Sequence, residues 1–97
     1  MLDEKAKELN TIYEHYGASH QIEMLVEEMA ELTQAIQKEK RYSSVEARYH
    51  KLGEMADVAI CLAQLVNNLS DKEKQFLFDT IDMKLERTIK IIKGELI

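Results

Sequence analysis

Met55-Ala56-Asp57-Val58-Ala59-Ile60-Cys61-Leu62-Ala63-Gln64-Leu65-Val66 is apolar at nearly every position, and its few polar members fall at helical spacing. Carried back to His50 and on to Asn68, the same steps of three or four join His50, Glu54, Asp57, Cys61, Gln64 and Asn68 into one mostly polar stripe. A helix apolar on all its other sides is expected to be buried on most of them. In that setting a carboxylate such as Asp57 is costly unless it is paired, protonated or bound to a metal.

The flanking sequence supplies the helix ends. Ser43 with Glu46 has the spacing of a capping box and opens this helix, which should end near Leu69. Upstream, Ser19 can cap a second helix reaching about Lys40. The first helix is expected over about Asp3 to Tyr16, where Leu2, Ala6, Leu9, Tyr13 and Tyr16 repeat at helical spacing and Gly17 suits the left-handed C′ position. Ser70 with Glu73 repeats the capping signature for a fourth helix, which Gly94 would terminate. Proline is absent. The expected fold is all-α: a four-helix antiparallel bundle with short connections, forming a single domain over residues 1–97.

Composition narrows the function classes. The net charge of −5, from 18 acidic and 13 basic residues, disfavours a duplex-binding module, so no nucleic-acid partner is expected. The longest purely apolar run, Val58 to Ala63, is far short of the roughly 20 residues a bilayer span needs. Met1-Leu2-Asp3-Glu4-Lys5 lacks the basic start and apolar stretch of a signal peptide, and the single Cys61 cannot form an internal disulfide. No membrane partner and a cytoplasmic location are therefore expected.

The second helix carries Glu27-Glu28-Met29-Ala30-Glu31 and the third Glu54-Met55-Ala56-Asp57, each an acid-x-x-acid pair on one helix face. With 32% charged residues, such a pair alone is ordinarily a solvated face. Direction and register argue otherwise. Glu28 falls within the apolar arc made with Met24, Leu25, Leu32 and Ala35; Glu31 lies on its edge, and Glu27 turns toward water as an ordinary surface acid. A hairpin folded around Arg41 to Ser44 sets Glu28 opposite Asp57 and Glu31 opposite Glu54, at nearly one height. Four carboxylates so crowded raise one another's pKa unless a divalent cation intervenes. Oxygen-only ligands favour magnesium, manganese or calcium, and no His or Cys pair has zinc-ligand spacing.

Glu28-x-x-Glu31 followed by Glu54-x-x-Asp57 resembles the EExxE…ExxD pattern of the all-α nucleotide pyrophosphohydrolases, the superfamily of MazG proteins, dimeric dUTPases and dCTP pyrophosphatases. Glu27-Glu28-Met29-Ala30-Glu31-Leu32 and Glu54-Met55-Ala56-Asp57-Val58 look most like compact MazG-like members, and the similarity runs from about Gln21 to Arg87. The resemblance implies that Glu28, Glu31, Glu54 and Asp57 hold Mg²⁺, with Mn²⁺ as a substitute. The ions would bind a nucleoside triphosphate and activate water at the α–β linkage, releasing a monophosphate and pyrophosphate; Glu31 is the candidate to orient or deprotonate that water. Related proteins carry a Lys-x-x-Arg arrangement near the metal, which makes Lys84 and Arg87 candidates for gripping phosphate. Gln21 and Asn68 are candidates for hydrogen bonds to base or sugar. His20 and His50 read as structural or surface residues and Cys61 as a small buried side chain; Tyr13, Tyr16, Tyr42 and Tyr49 could stack on a base, with core packing the expected use of the first two. The chain has one copy of the motif, unlike two-domain MazG proteins, so no second site is implied.

A third helix this apolar exceeds what one 97-residue chain can cover, so a homodimer or homotetramer is expected. The resemblance points the same way, and implies that residues of more than one subunit complete the pocket. Two other readings suit the same acids: a non-enzymatic helical interaction module, and a phosphoribosyl-nucleotide pyrophosphohydrolase.

Overall fold

Two serines connect the two longest helices. α2 (Ala18–Tyr42) ends as Ser43 turns into the left-handed region (φ 47°, ψ 37°) and its N–H bonds back to Glu39 O. Ser44 then caps α3 (Val45–Asn67), its hydroxyl accepting from Ala47 N at 3.0 Å. The Ser43–Glu46 box is therefore not formed: Ser43 is used to reverse the chain, Ser44 is the first extended residue and takes the cap, and Ala47 three residues on cannot close a box. α2 and α3 lie packed along one another, and Glu39 ties them near the turn by accepting from Lys51 at 2.6 Å, with Arg48 at 3.7 Å.

The computed structural model describes residues 2–95, so the ends of the expected 1–97 domain, Met1, Leu96 and Ile97, lie outside the described residues. A 3-10 turn (Asp3–Lys5) leads into α1 (Ala6–Tyr16), which packs on both α3 and α2. The start of α2 is also corrected. Gly17, not Ser19, is the N-cap, and Ser19 lies inside the helix; the reversal between α1 and α2 takes a single residue with φ 90°, ψ 158°, which leaves no room for an extended serine. Ser70 and Glu73 form the expected capping box, with Glu73 N to Ser70 Oγ at 3.2 Å and Ser70 N to Glu73 Oε1 at 2.9 Å. They open α4 (Asp71–Ile92), and Gly94 follows its end. The described residues are all helix and connection, and none of their helices is long and apolar enough to cross a membrane.

The expected four-helix bundle is not closed within one chain. α1, α2 and α3 form the packed body, while α4 joins none of the packed pairs and buries none of its residues. The radius of gyration is 16.7 Å, against about 12.5 Å for a compact domain of this length. Phe78 approaches the body beside Leu62 and Val66, but Phe76, Met83, Leu85 and Ile92 stand in solvent. α3 is likewise less covered than its sequence suggested: Cys61 and Gln64 are buried, whereas Met55 and Leu62 on its other side are about half exposed. α1 and α2 cover one side of α3 and leave its back open.

Gly17 sits where only glycine is relaxed, and a Cβ there would meet nothing within 4 Å, so any cost of substitution is backbone strain. Gly17→Ala is expected to lower unfolding stability by about 1–3 kcal/mol in urea melts. Gly53→Ala, at an exposed position inside α3 with the same open space, should instead raise it by about 0.5–1 kcal/mol.

Candidate metal centre

The α2–α3 register puts the expected acids together. Glu28 from α2 and Glu54 and Asp57 from α3 each offer an oxygen, and the three oxygens lie within 4.8 Å of one another. Glu31 adjoins them, close enough for its charge to act on both Glu28 and Glu54. Glu27 is exposed, in keeping with an ordinary surface acid.

Burial differs from the expectation in one respect. Asp57 is exposed, and the sheltered acids are Glu28 and Glu54. The polar stripe of α3 opens onto a cavity at Asp57, while Glu54 is shielded where the helices meet. Glu28 Oε2 and Glu54 Oε2 are both buried without a hydrogen-bond partner. An unpaired buried carboxylate oxygen is expensive. Among the described residues no Lys or Arg pairs with any of the four acids; His50 Nε2 lies 3.7 Å from Glu54 Oε1.

The electrostatics follow. Burial raises the pKa of Glu28, and the charges of Glu31, Asp57 and Glu54 raise it further. Burial and then Glu31 raise that of Glu54, against a smaller lowering by His50. Cys61 is pushed up by burial and by Glu28 and Asp57. Three converging carboxyl side chains, two of them with a buried oxygen that no donor reaches, form a donor set suited to a hard divalent cation, whose oxygen ligands approach to roughly 2.0–2.6 Å.

Glu28 and Asp57 also border a cavity of about 460 Å³ between the start of α2, the end of α1 and α3. Ile12, Met24 and Ile60 supply apolar wall. Gln21 Nε2 donates to Gln64 Oε1 at 2.9 Å, and both side chains are buried. His20 Nδ1 lies 2.7 Å from Gln21 Oε1, and its ring stacks on Tyr16 with centroids 4.9 Å apart. Gln21 thus lies at the cavity, as a base or sugar contact would. Asn68 does not line it; it sits at the C-cap of α3 with Nδ2 donating to Gln64 O at 2.8 Å. Lys84 and Arg87 are exposed on the far half of α4, which no packing holds against α2 or α3.

Three cavity residues went unchosen in the sequence. Gln64 stood on the polar stripe of α3 and could have been found there. Tyr16, read as core, is half exposed at the cavity mouth, and His20 joins it only because Gly17 reverses the chain between them. No family model, curated protein or solved structure matches this chain.

The raised carboxyls set a direction for stability. The folded chain holds protons on Glu28 and Glu54 more tightly than the unfolded chain does. Metal-free protein therefore carries its full penalty above the raised values and is relieved of it as pH falls from them toward 4.5. In EDTA at neutral pH, Glu28→Gln is expected to raise the melting temperature. In wild type, Mn²⁺ at a hundred times its Kd should add about 2.7 kcal/mol, a rise of roughly 10–20 °C. Glu28→Gln should lose most of that rise. A metal-insensitive wild type would contradict the donor-set reading.

Proposed function

We propose that the chain is a Mg²⁺-dependent nucleoside triphosphate pyrophosphohydrolase of the MazG-like kind. The observation that carries the reading is the pair of buried, unpartnered oxygens on Glu28 and Glu54, converging with Asp57 beside a cavity large enough for a nucleoside. The motif resemblance supplies the reaction class. The geometry supports it by uniting the motif's acids on facing helices.

Glu28, Glu54 and Asp57 would hold the cation, with Glu31 beside them. Mg²⁺ bound there supplies charge neutralisation for the triphosphate and makes water more acidic. Glu31, exposed and next to both sheltered glutamates, orients the attacking water and takes a proton from it. The water oxygen bonds to the α-phosphorus as the bond to the α–β bridging oxygen breaks. Pyrophosphate leaves with that oxygen, and the new P–O bond completes the monophosphate. The Tyr16–His20 stack and the Gln21–Gln64 pair suit a planar, hydrogen-bonding base.

The uncovered surface favours a second copy of the chain as partner. The accessible surface is 7886 Å², while a compact monomer of 11.3 kDa exposes about 5,700 Å². The excess, roughly 2,200 Å², exceeds the roughly 800 Å² per partner of a standard interface. It includes apolar residues of α4 and the back of α3. Sedimentation is expected to show a dimer or tetramer at micromolar concentration; a monomer with α4 folded would remove this part of the proposal.

Product analysis tests the activity. Incubation with common NTPs and dNTPs should yield monophosphate plus pyrophosphate with Mg²⁺ and not with EDTA, and Glu28→Gln or Asp57→Asn should lower turnover by at least about a hundredfold. A phosphoribosyl-nucleotide included in the panel separates the related hydrolase. No turnover of any substrate by folded, metal-binding protein would favour the interaction module.

A further inference from the structure

The four carboxylates stand between two hollows of opposite character. Glu28 and Asp57 open onto the cavity described above, with its apolar wall, aromatic stack and amide pair. Glu31 and Glu54 open instead onto a second hollow of about 390 Å³, nearer the α2–α3 turn. Its other walls are Gln34, Ala35, Lys38 and His50, without one large apolar side chain.

Lys38 is the one Lys or Arg among the described residues that wall this hollow. Arg48 and Lys51 are both engaged by Glu39, the next residue in the chain. Among the described residues Lys38 makes no ion pair, although it stands on the helix that carries Glu28 and Glu31. His50 faces the same hollow from α3 and reaches Glu54 at 3.7 Å. An ammonium and an imidazole on opposite helices can donate to one anion held between them. The first cavity has no Lys or Arg in its walls. A substrate with a planar, partly apolar end and a polyanionic end can therefore satisfy both hollows in one orientation only.

We infer that the Lys38–His50 hollow is the pyrophosphate subsite, binding the departing end of the substrate while the nucleoside occupies the Tyr16–Gln64 cavity. The inference rests on the proposed pyrophosphohydrolase reading and deepens it. It places phosphate-binding residues on the hairpin that carries the metal ligands, where their position does not depend on α4. The acids at the border repel a bare polyanion, so the ligand recognised is pyrophosphate together with Mg²⁺.

Calorimetric titration with magnesium pyrophosphate tests this without turnover. Wild type is expected to bind, and Lys38→Gln should weaken binding about tenfold or more, as loss of a hydrogen bond to a charged group does. Lys38→Gln/His50→Gln should weaken it further, while Tyr16→Ala and Lys84→Gln/Arg87→Gln leave it within about twofold. Circular dichroism confirms that each variant is folded; His50→Asn serves if the glutamine variant is not. Failure of wild type to bind, equal affinity in Lys38→Gln/His50→Gln, or a loss confined to Lys84→Gln/Arg87→Gln each overturns the assignment. If nucleotides are hydrolysed but pyrophosphate affinity ignores Lys38 and His50, the subsite alone is wrong. If pyrophosphate binding depends on them but no nucleotide is cleaved, the subsite stands and the activity falls.

Discussion

Ser43 in the left-handed region and Ser44 as the immediate N-cap leave the α2–α3 connection almost no slack. A 25-residue and a 23-residue helix joined so tightly must run side by side in one register. Because side chains three and four apart share a face, that register determines which side chains meet across the hairpin. It joins Lys51 to Glu39 near the turn, brings Glu28 against Glu54 and Asp57 further along, and pairs Gln21 with Gln64 at the far end. The ion pair, the candidate metal centre and the cavity are successive levels of one helical contact.

Stability and function pull against each other at the middle level. Sheltered carboxylates with unpartnered oxygens weaken the isolated chain, and the hairpin keeps them because other contacts hold it closed. The Gln21–Gln64 amide pair and the Glu39–Lys51 ion pair lie on either side of the acids. Such an arrangement is pre-organised for a cation: the repulsion is overcome during folding rather than at binding. It also separates an apolar, aromatic hollow from a polar one, the asymmetry on which the proposed nucleotide orientation rests.

The expectations that held are those governed by local physics. Helix number, the Ser70–Glu73 cap and the meeting of Glu28 with Glu54 and Asp57 follow from periodicity, capping chemistry and a short turn, all legible over a few residues. Those that failed depend on where an element goes. Ser19 gave way to Gly17 and Ser43 to Ser44 because chain reversals of one and two residues consume the neighbouring positions. Asp57 appeared buried because its neighbours are apolar, yet its side chain faces a cavity.

Residue order by itself thus determined an all-helical chain and the identity of its clustered acids, since helical periodicity and a two-serine turn leave few alternatives. Tertiary structure alone decided the surroundings of those acids. α4 is amphipathic, but its sequence does not specify whether its apolar side meets its own chain or another; in the fold it leaves the body and takes Lys84 and Arg87 with it. Tyr16 and His20 become cavity walls through the angle at Gly17, and Lys38 and His50 face one hollow through the packing of α2 on α3. Periodicity specifies which face of a helix a residue occupies. What that face meets depends on crossing angles and chain reversals, which sum over the whole packed body.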